Sequence, residues 1–115
     1  MSDKIIIIGN GFSGLGTAIT FAKYGHTVKI IAPQNNSQLL GGLQIAPNTF
    51  KALSSLGLEN EIQSQANRLL AVDIKTFDVG SNLSNISLLK NKTPYLSMAR
   101  EDLYQILLKK CLRNS

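Results

Sequence analysis

Gly9, Gly11 and Gly14 fall where a run of β-branched residues, Lys4-Ile5-Ile6-Ile7-Ile8, gives way to a helical pattern. Their spacing is G-x-G-x-x-G, with Asn10, Phe12 and Ser13 between. In a strand–turn–helix setting that spacing suits a phosphate group. Gly9 permits the tight turn, and Gly11 removes a Cβ that would keep a pyrophosphate off the backbone. Gly14 lets the helix lie close on the strand, while free N–H groups at the helix start offer partial positive charge. The expected chemistry is anion binding, with Gly9, Gly11, Phe12, Ser13 and Gly14 as cofactor-binding residues. No catalytic residue is readable. Cys111 and His26 are the sole cysteine and histidine, with no partner at metal-ligand spacing, so no metal site is expected.

Elements must hold that turn in place. Lys4–Gly9 is continuously apolar after Lys4 and reads as a buried parallel strand. A helix over about Ser13–Tyr24 puts Leu15, Ala18, Ile19 and Ala22 on one face, and Gly25 stops it. His26–Ala32 supplies a second strand, completing a βαβ unit. Residues 33–42 read as a loop and Leu43–Ala46 as a short extended piece. Pro47 opens a helix carrying Phe50, Leu53 and Leu56, closed by Gly57. A short helix is expected over Glu59–Gln65. Two antiparallel strands, about Leu69–Val79 and Ile86–Leu89, are expected to join through Gly80-Ser81-Asn82. A last helix runs from about Arg100 to Leu112, with Glu101 and Asp102 in its first turn and Lys109 and Lys110 in its last.

The bulk properties narrow the class. With 115 residues, 43% of them hydrophobic, the chain makes at most one small globular domain. Ile5–Ile8 is its longest apolar run, too short for a membrane span. No signal peptide is readable, and one cysteine fits a reducing cytoplasm rather than a disulfide framework. The net charge of +5 is concentrated after residue 67, at Lys90, Lys92, Lys109, Lys110 and Arg113 among others. These cations are not interleaved with aromatics, so they read as a solvated face and no nucleic-acid partner is expected.

Three blocks carry a family resemblance. The first is Gly9 to Ala18, followed by Tyr24-Gly25-His26-Thr27-Val28. The second is Gly41-Gly42-Leu43-Gln44-Ile45-Ala46-Pro47-Asn48-Thr49-Phe50-Lys51-Ala52-Leu53, continuing to Leu56-Gly57-Leu58. The third is Pro94-Tyr95-Leu96 with Ala99-Arg100-Glu101-Asp102-Leu103-Tyr104. Together they resemble the N-terminal FAD-binding part of the single-component aromatic hydroxylases, the salicylate and para-hydroxybenzoate hydroxylase group with its ubiquinone-pathway members. The resemblance implies an α/β, Rossmann-like FAD-binding domain: a βαβ start, a short antiparallel excursion and a crossover helix, here incomplete. It implies FAD as cofactor, NAD(P)H and O2 as co-substrates, and hydroxylation of a small aromatic substrate. It also adds Gly42 and Arg100 to the cofactor-binding set, Arg100 through a guanidinium fork suited to phosphate or a polarised flavin edge.

The departures from that pattern are specific. The family ends its second strand with an acid that binds the adenosine ribose. Here Ala32 stands there, followed by Pro33 and Gln34, and no acid occurs between Asp3 and Glu59. Gln34 or Asn35 can hydrogen-bond a ribose, more weakly than a carboxylate. The family's loop arginine before the second block is missing, since Lys51 is the only cation between Lys29 and Arg68. Its later Asp-Gly and Gly-Asp segments are missing too. The chain is expected to be residues 1–115 of a longer FAD-binding domain without the substrate domain, inactive alone, and prone to self-association through an unpaired sheet edge. Two other classes fit the same residues: a nucleotide-binding module without redox chemistry, and a decayed protein with no cofactor.

Overall fold

The computed structural model describes residues 2–34, 39–90 and 92–113. Strand β1 (Lys4–Ile8), helix α1 (Phe12–Lys23) and strand β2 (Thr27–Ile31) form the βαβ unit. The strands are parallel, in register from Lys4↔Thr27 to Ile8↔Ile31. Gly9 leaves β1 at φ +111°, a conformation that L side chains rarely adopt, and its N–H donates to the Ile31 carbonyl at 2.8 Å. The glycine-rich turn is thus pinned to the end of β2 as well as β1.

Next come β3 (Gly42–Ile45), α2 (Pro47–Ser55), α3 (Glu59–Gln65), β4 (Asn67–Arg68) and a hairpin of β5 (Ala71–Lys75) and β6 (Asn82–Ser87). Strand β7 (Leu96–Ala99) runs directly into α4 (Arg100–Arg113). β7 is the centre of an antiparallel sheet of order β3-β7-β4. The core lies where α1 and α4 pack together over this sheet and α3. Leu15 and Ile19 of α1 meet Ile45, Phe50, Leu58, Ile62, Leu96, Met98, Leu103, Ile106 and Leu107. Burial of these side chains, each worth about 1.5–3 kcal/mol, is what holds the four helices to the sheet.

Several expectations are corrected. β1 is not buried: Ile5 and Ile7 are half-covered, while Ile6 is 63% and Ile8 79% exposed. Helix α1 covers one face of β1 and β2, and among the described residues no element covers the other. The second hairpin strand is longer than expected, starting at Asn82 and ending at Ser87, and the first is shorter, because residues 76–81 are taken up by a turn. There Thr76 N–H donates to the Ser81 carbonyl at 2.8 Å, and Ser81 N–H to Thr76 Oγ1 at 3.0 Å. Asp78 Oδ1 accepts from Val79 N–H at 2.8 Å. That bond, with another from Thr76, holds the Asp78 carboxyl below its ordinary range. Side chains of this kind favour turns over ladders. The extended piece at 43–46 begins and ends one residue earlier, as β3. Asn35 lies outside the described residues. β4 and β7 were not expected, yet Leu96 and Met98 are buried with Ser97 between them, a period-two signal only four residues long.

Candidate nucleotide-binding site

The helix start is open. Gly11 is the N-cap of α1 in ordinary extended geometry (φ −73°, ψ −172°), no side chain caps the helix, and no acid lies in its first turn. The first bond back to the cap is Leu15 N–H to the Gly11 carbonyl at 3.0 Å. The N–H groups of Phe12, Ser13 and Gly14 therefore have no partner within the helix. A Cβ built on Gly11 meets nothing within 4 Å. A Cβ on Gly14 falls 2.4 Å from the Gly9 carbonyl oxygen. The two glycines answer different demands: Gly14 is required by the contact of α1 with the turn, and Gly11 leaves space that the fold itself does not fill. Ser13 is exposed. Phe12 is half-buried and its ring packs edge-on against Tyr104, centroids 5.9 Å apart at 78°, so its share of the site is its backbone.

Helix α4 closes the other side. The β3–β7 ladder pairs Gly42 with Ala99, so two sequence blocks some fifty residues apart become neighbours. Arg100 N–H donates to the Gly41 carbonyl at 3.0 Å, and Arg100 Nε lies 4.0 Å from where a Gly41 Cβ would be. The exposed Arg100 guanidinium makes no hydrogen bond or ion pair with any described residue. One turn on, Tyr104 Oη donates to the Asn10 carbonyl at 2.8 Å. Residues i and i+4 share a helix face, so Arg100 and Tyr104 both address the loops around the open end of α1. The structure gathers Gly9, Gly11, Phe12, Ser13 and Gly14 around the turn into α1, and sets Gly42 of β3 beside Ala99, the residue before Arg100 of α4; Tyr104 of α4 links the two groups through Asn10.

Gln34 is not drawn into this cluster. It is exposed beyond β2 and makes no hydrogen bond with a described residue. Ala32 lies nearer, one residue after the Ile31 carbonyl that anchors Gly9. Ala32→Glu is expected to strengthen FAD binding about tenfold, the low end for a charge-assisted hydrogen bond at a solvent-open position. Fluorescence titration of FAD against both proteins measures it.

Tyr104 escaped notice on sequence alone: it stands in a quoted block without a role, and its i+4 spacing from Arg100 along α4 was the available signal. Glu101, read only as a favourable acid in the first turn of that helix, also has its Oε2 accept from Leu39 N–H at 3.0 Å. Cys111 is a half-buried helix residue whose Sγ lies 3.5 Å from the Leu15 carbonyl. Burial pushes its thiol pKa up. Because the fold holds the protonated form, this contribution to stability is whole below the ordinary thiol pKa and is lost as pH rises through the elevated one. Alkylation of Cys111 is therefore expected to be slower than that of a free thiol at pH 8, by mass-spectrometric time course, and to match it after denaturation.

No protein-family profile matches the chain. It is 32% identical over 93 residues to hispidin-3-hydroxylase of Neonothopanus nambi, covering 80% of this chain and 21% of that protein. It is 29% identical over 111 residues to 3-amino-4-hydroxybenzoate 2-monooxygenase PtmB3 of Streptomyces platensis, covering 91% and 28%. In fold it is similar to 2-methyl-3-hydroxypyridine-5-carboxylic acid oxygenase, with a TM-score of 0.87 at 19% identity over 99% of this chain and 30% of the other. It is also similar to Klebsiella pneumoniae HpxO complexed with FAD and uric acid, at 0.79 and 22% over 92% and 28%. The chain spans less than a third of each. By sequence it is a relative of the FAD-dependent aromatic hydroxylases, and it shares the fold of solved oxygenases, in each case over a minor part of their length.

Proposed function

We propose that this chain binds FAD by its pyrophosphate at the N-terminus of α1, as the FAD-binding part of a monooxygenase. That monooxygenase uses NAD(P)H and O2 to hydroxylate a small aromatic compound. The observation that carries the reading is the open space at Gly11, in front of a helix start that no side chain caps and no acid neutralises. An anion with two phosphates fits such a place: N–H groups of residues 11–14 donate, and the helix dipole favours negative charge. The Arg100 guanidinium, without a hydrogen bond or ion pair among the described residues, would supply positive charge from the α4 side. Gly42 stands across from Ala99, where a Cβ would lie 3.4 Å from the Met98 carbonyl oxygen. The relatives named as FAD-complexed or as aromatic hydroxylases support the identity of the ligand.

When bound, FAD supplies the oxygen-transfer chemistry, and the protein contributes binding and orientation. The residues described do only the first of these: they hold phosphate, through the backbone of the turn, and they place one guanidinium beside it. Equilibrium dialysis of the purified chain against FAD, ADP and riboflavin tests this. Retention of FAD and ADP with little riboflavin is expected, because only the first two carry a pyrophosphate. Riboflavin held as tightly as FAD, or neither FAD nor ADP held, would overturn it.

A further inference from the structure

We propose that Tyr104 is a positioning residue that aims the Gly11 N–H at the phosphate, an inference that rests on the FAD-binding reading above. Its hydroxyl donates to the Asn10 carbonyl at 2.8 Å across 94 residues of sequence. The Asn10–Gly11 peptide is trans, as are all others described. In a trans peptide the C=O and the following N–H point in opposite directions. Holding the Asn10 carbonyl toward α4 therefore turns the Gly11 N–H away from α4, while no described atom beyond the chain neighbours crowds the place of a Gly11 Cβ. Without that bond the peptide has little else to fix it. Gly11 has no Cβ to limit its backbone, and the helix ladder begins only with the bond from Leu15 to Gly11. The same tyrosine ring meets Phe12 edge-on at 5.9 Å, restraining the residue on the far side of Gly11.

Tyr104 does not act alone on α4. Glu101 accepts from Leu39 N–H and from Gln105 Nε2 at 3.1 Å, and Arg100 donates its N–H to Gly41. The first two turns of α4 thus brace two loops at once, the glycine-rich turn and the segment leading into β3. The hydroxyl of Tyr104 is the only part of this brace that reaches the peptide before Gly11. A ring serving the core alone would not need it: Tyr104 is half-buried among Phe12 and the α1–α4 contact, where phenylalanine would pack as well.

Tyr104→Phe separates the two roles, since it keeps the ring and removes the hydrogen bond. The expected result is FAD affinity weakened about three- to tenfold with the thermal midpoint little changed. Backbone amide order parameters of Gly11 and Phe12 should fall, and those of α3 and β7 stay unchanged. A merely structural role would leave the order at Gly11 as it is. Unchanged order at Gly11 together with unchanged FAD affinity would overturn the proposal. Should the wild-type chain hold no FAD, the flavin reading falls. Order at Gly11 and Phe12, read in the free proteins, then decides the role of Tyr104, with unchanged values counting against it. If Tyr104→Phe loses global stability, order is compared at a temperature where both proteins are fully folded, and the same outcomes apply.

Discussion

Gly11→Val is expected to weaken FAD binding by about one to two orders of magnitude, the equivalent of about 1.4–2.7 kcal/mol, while leaving the fold intact. The backbone at Gly11 is in extended geometry that a β-branched residue adopts readily. Beyond its chain neighbours no described residue lies within 4 Å of the new Cβ, so no internal contact among them is broken. What the valine blocks is approach from outside. The N–H groups behind it stay in place, but a phosphate oxygen can no longer come within about 3 Å of them. Isothermal titration with FAD, beside a thermal melt of both proteins, measures the two effects separately. A large fall in melting temperature would show that Gly11 serves the fold instead.

Gly14→Val should do the reverse. Its Cβ would lie 2.4 Å from the Gly9 carbonyl oxygen and 3.1 Å from the Gly9 carbonyl carbon. Both are backbone atoms of a turn already held by the Gly9–Ile31 bond, so neither can swing aside as a flexible side chain would. Helix α1 must move off β1, and Leu15 and Ile19 move with it, away from a core in which each is 1% exposed. Replacing a helical glycine normally gains up to about 1 kcal/mol of propensity. Overpacking against fixed backbone costs about 1–3 kcal/mol or more, and the loosened core adds to it, so the net is a loss of about 3 kcal/mol. In a domain this small that shifts the midpoint by more than about 10 °C. Chemical denaturation of wild type and variant measures it, and equal midpoints would contradict the assigned contact. The same substitution, three residues apart, is thus expected to strike binding in one case and folding in the other.

The contrast between those glycines shows what was legible in the sequence. The roles of Gly9, Gly11 and Gly14 follow from a motif in a strand–turn–helix setting. The positive φ at Gly9 and the close contact at Gly14 agree with their turn and packing roles, and the open space at Gly11 leaves its phosphate role to the binding test. The bounds of α3 and the start of α4 were readable because each has strong local signals: acids in the first turn and an apolar face. The burial of β1 was not. A continuous isoleucine run specifies what both faces would accept, not what covers them, and Ile6 and Ile8 remain exposed. β7 was missed because it is four residues long and passes into α4 without a break, though its pairing with β3 is what carries Arg100 to Gly41. The Tyr104–Asn10 bond spans most of the chain, and no local pattern announces it.

Addition of FAD to the isotope-labelled chain, followed by amide NMR, tests the central claim most directly. The N–H groups of Gly11, Phe12, Ser13 and Gly14 should show the largest shifts, with Arg100 next and the β5–β6 hairpin unmoved. Saturable shifts confined to residues away from the start of α1, or no saturable shift at all, would contradict the account.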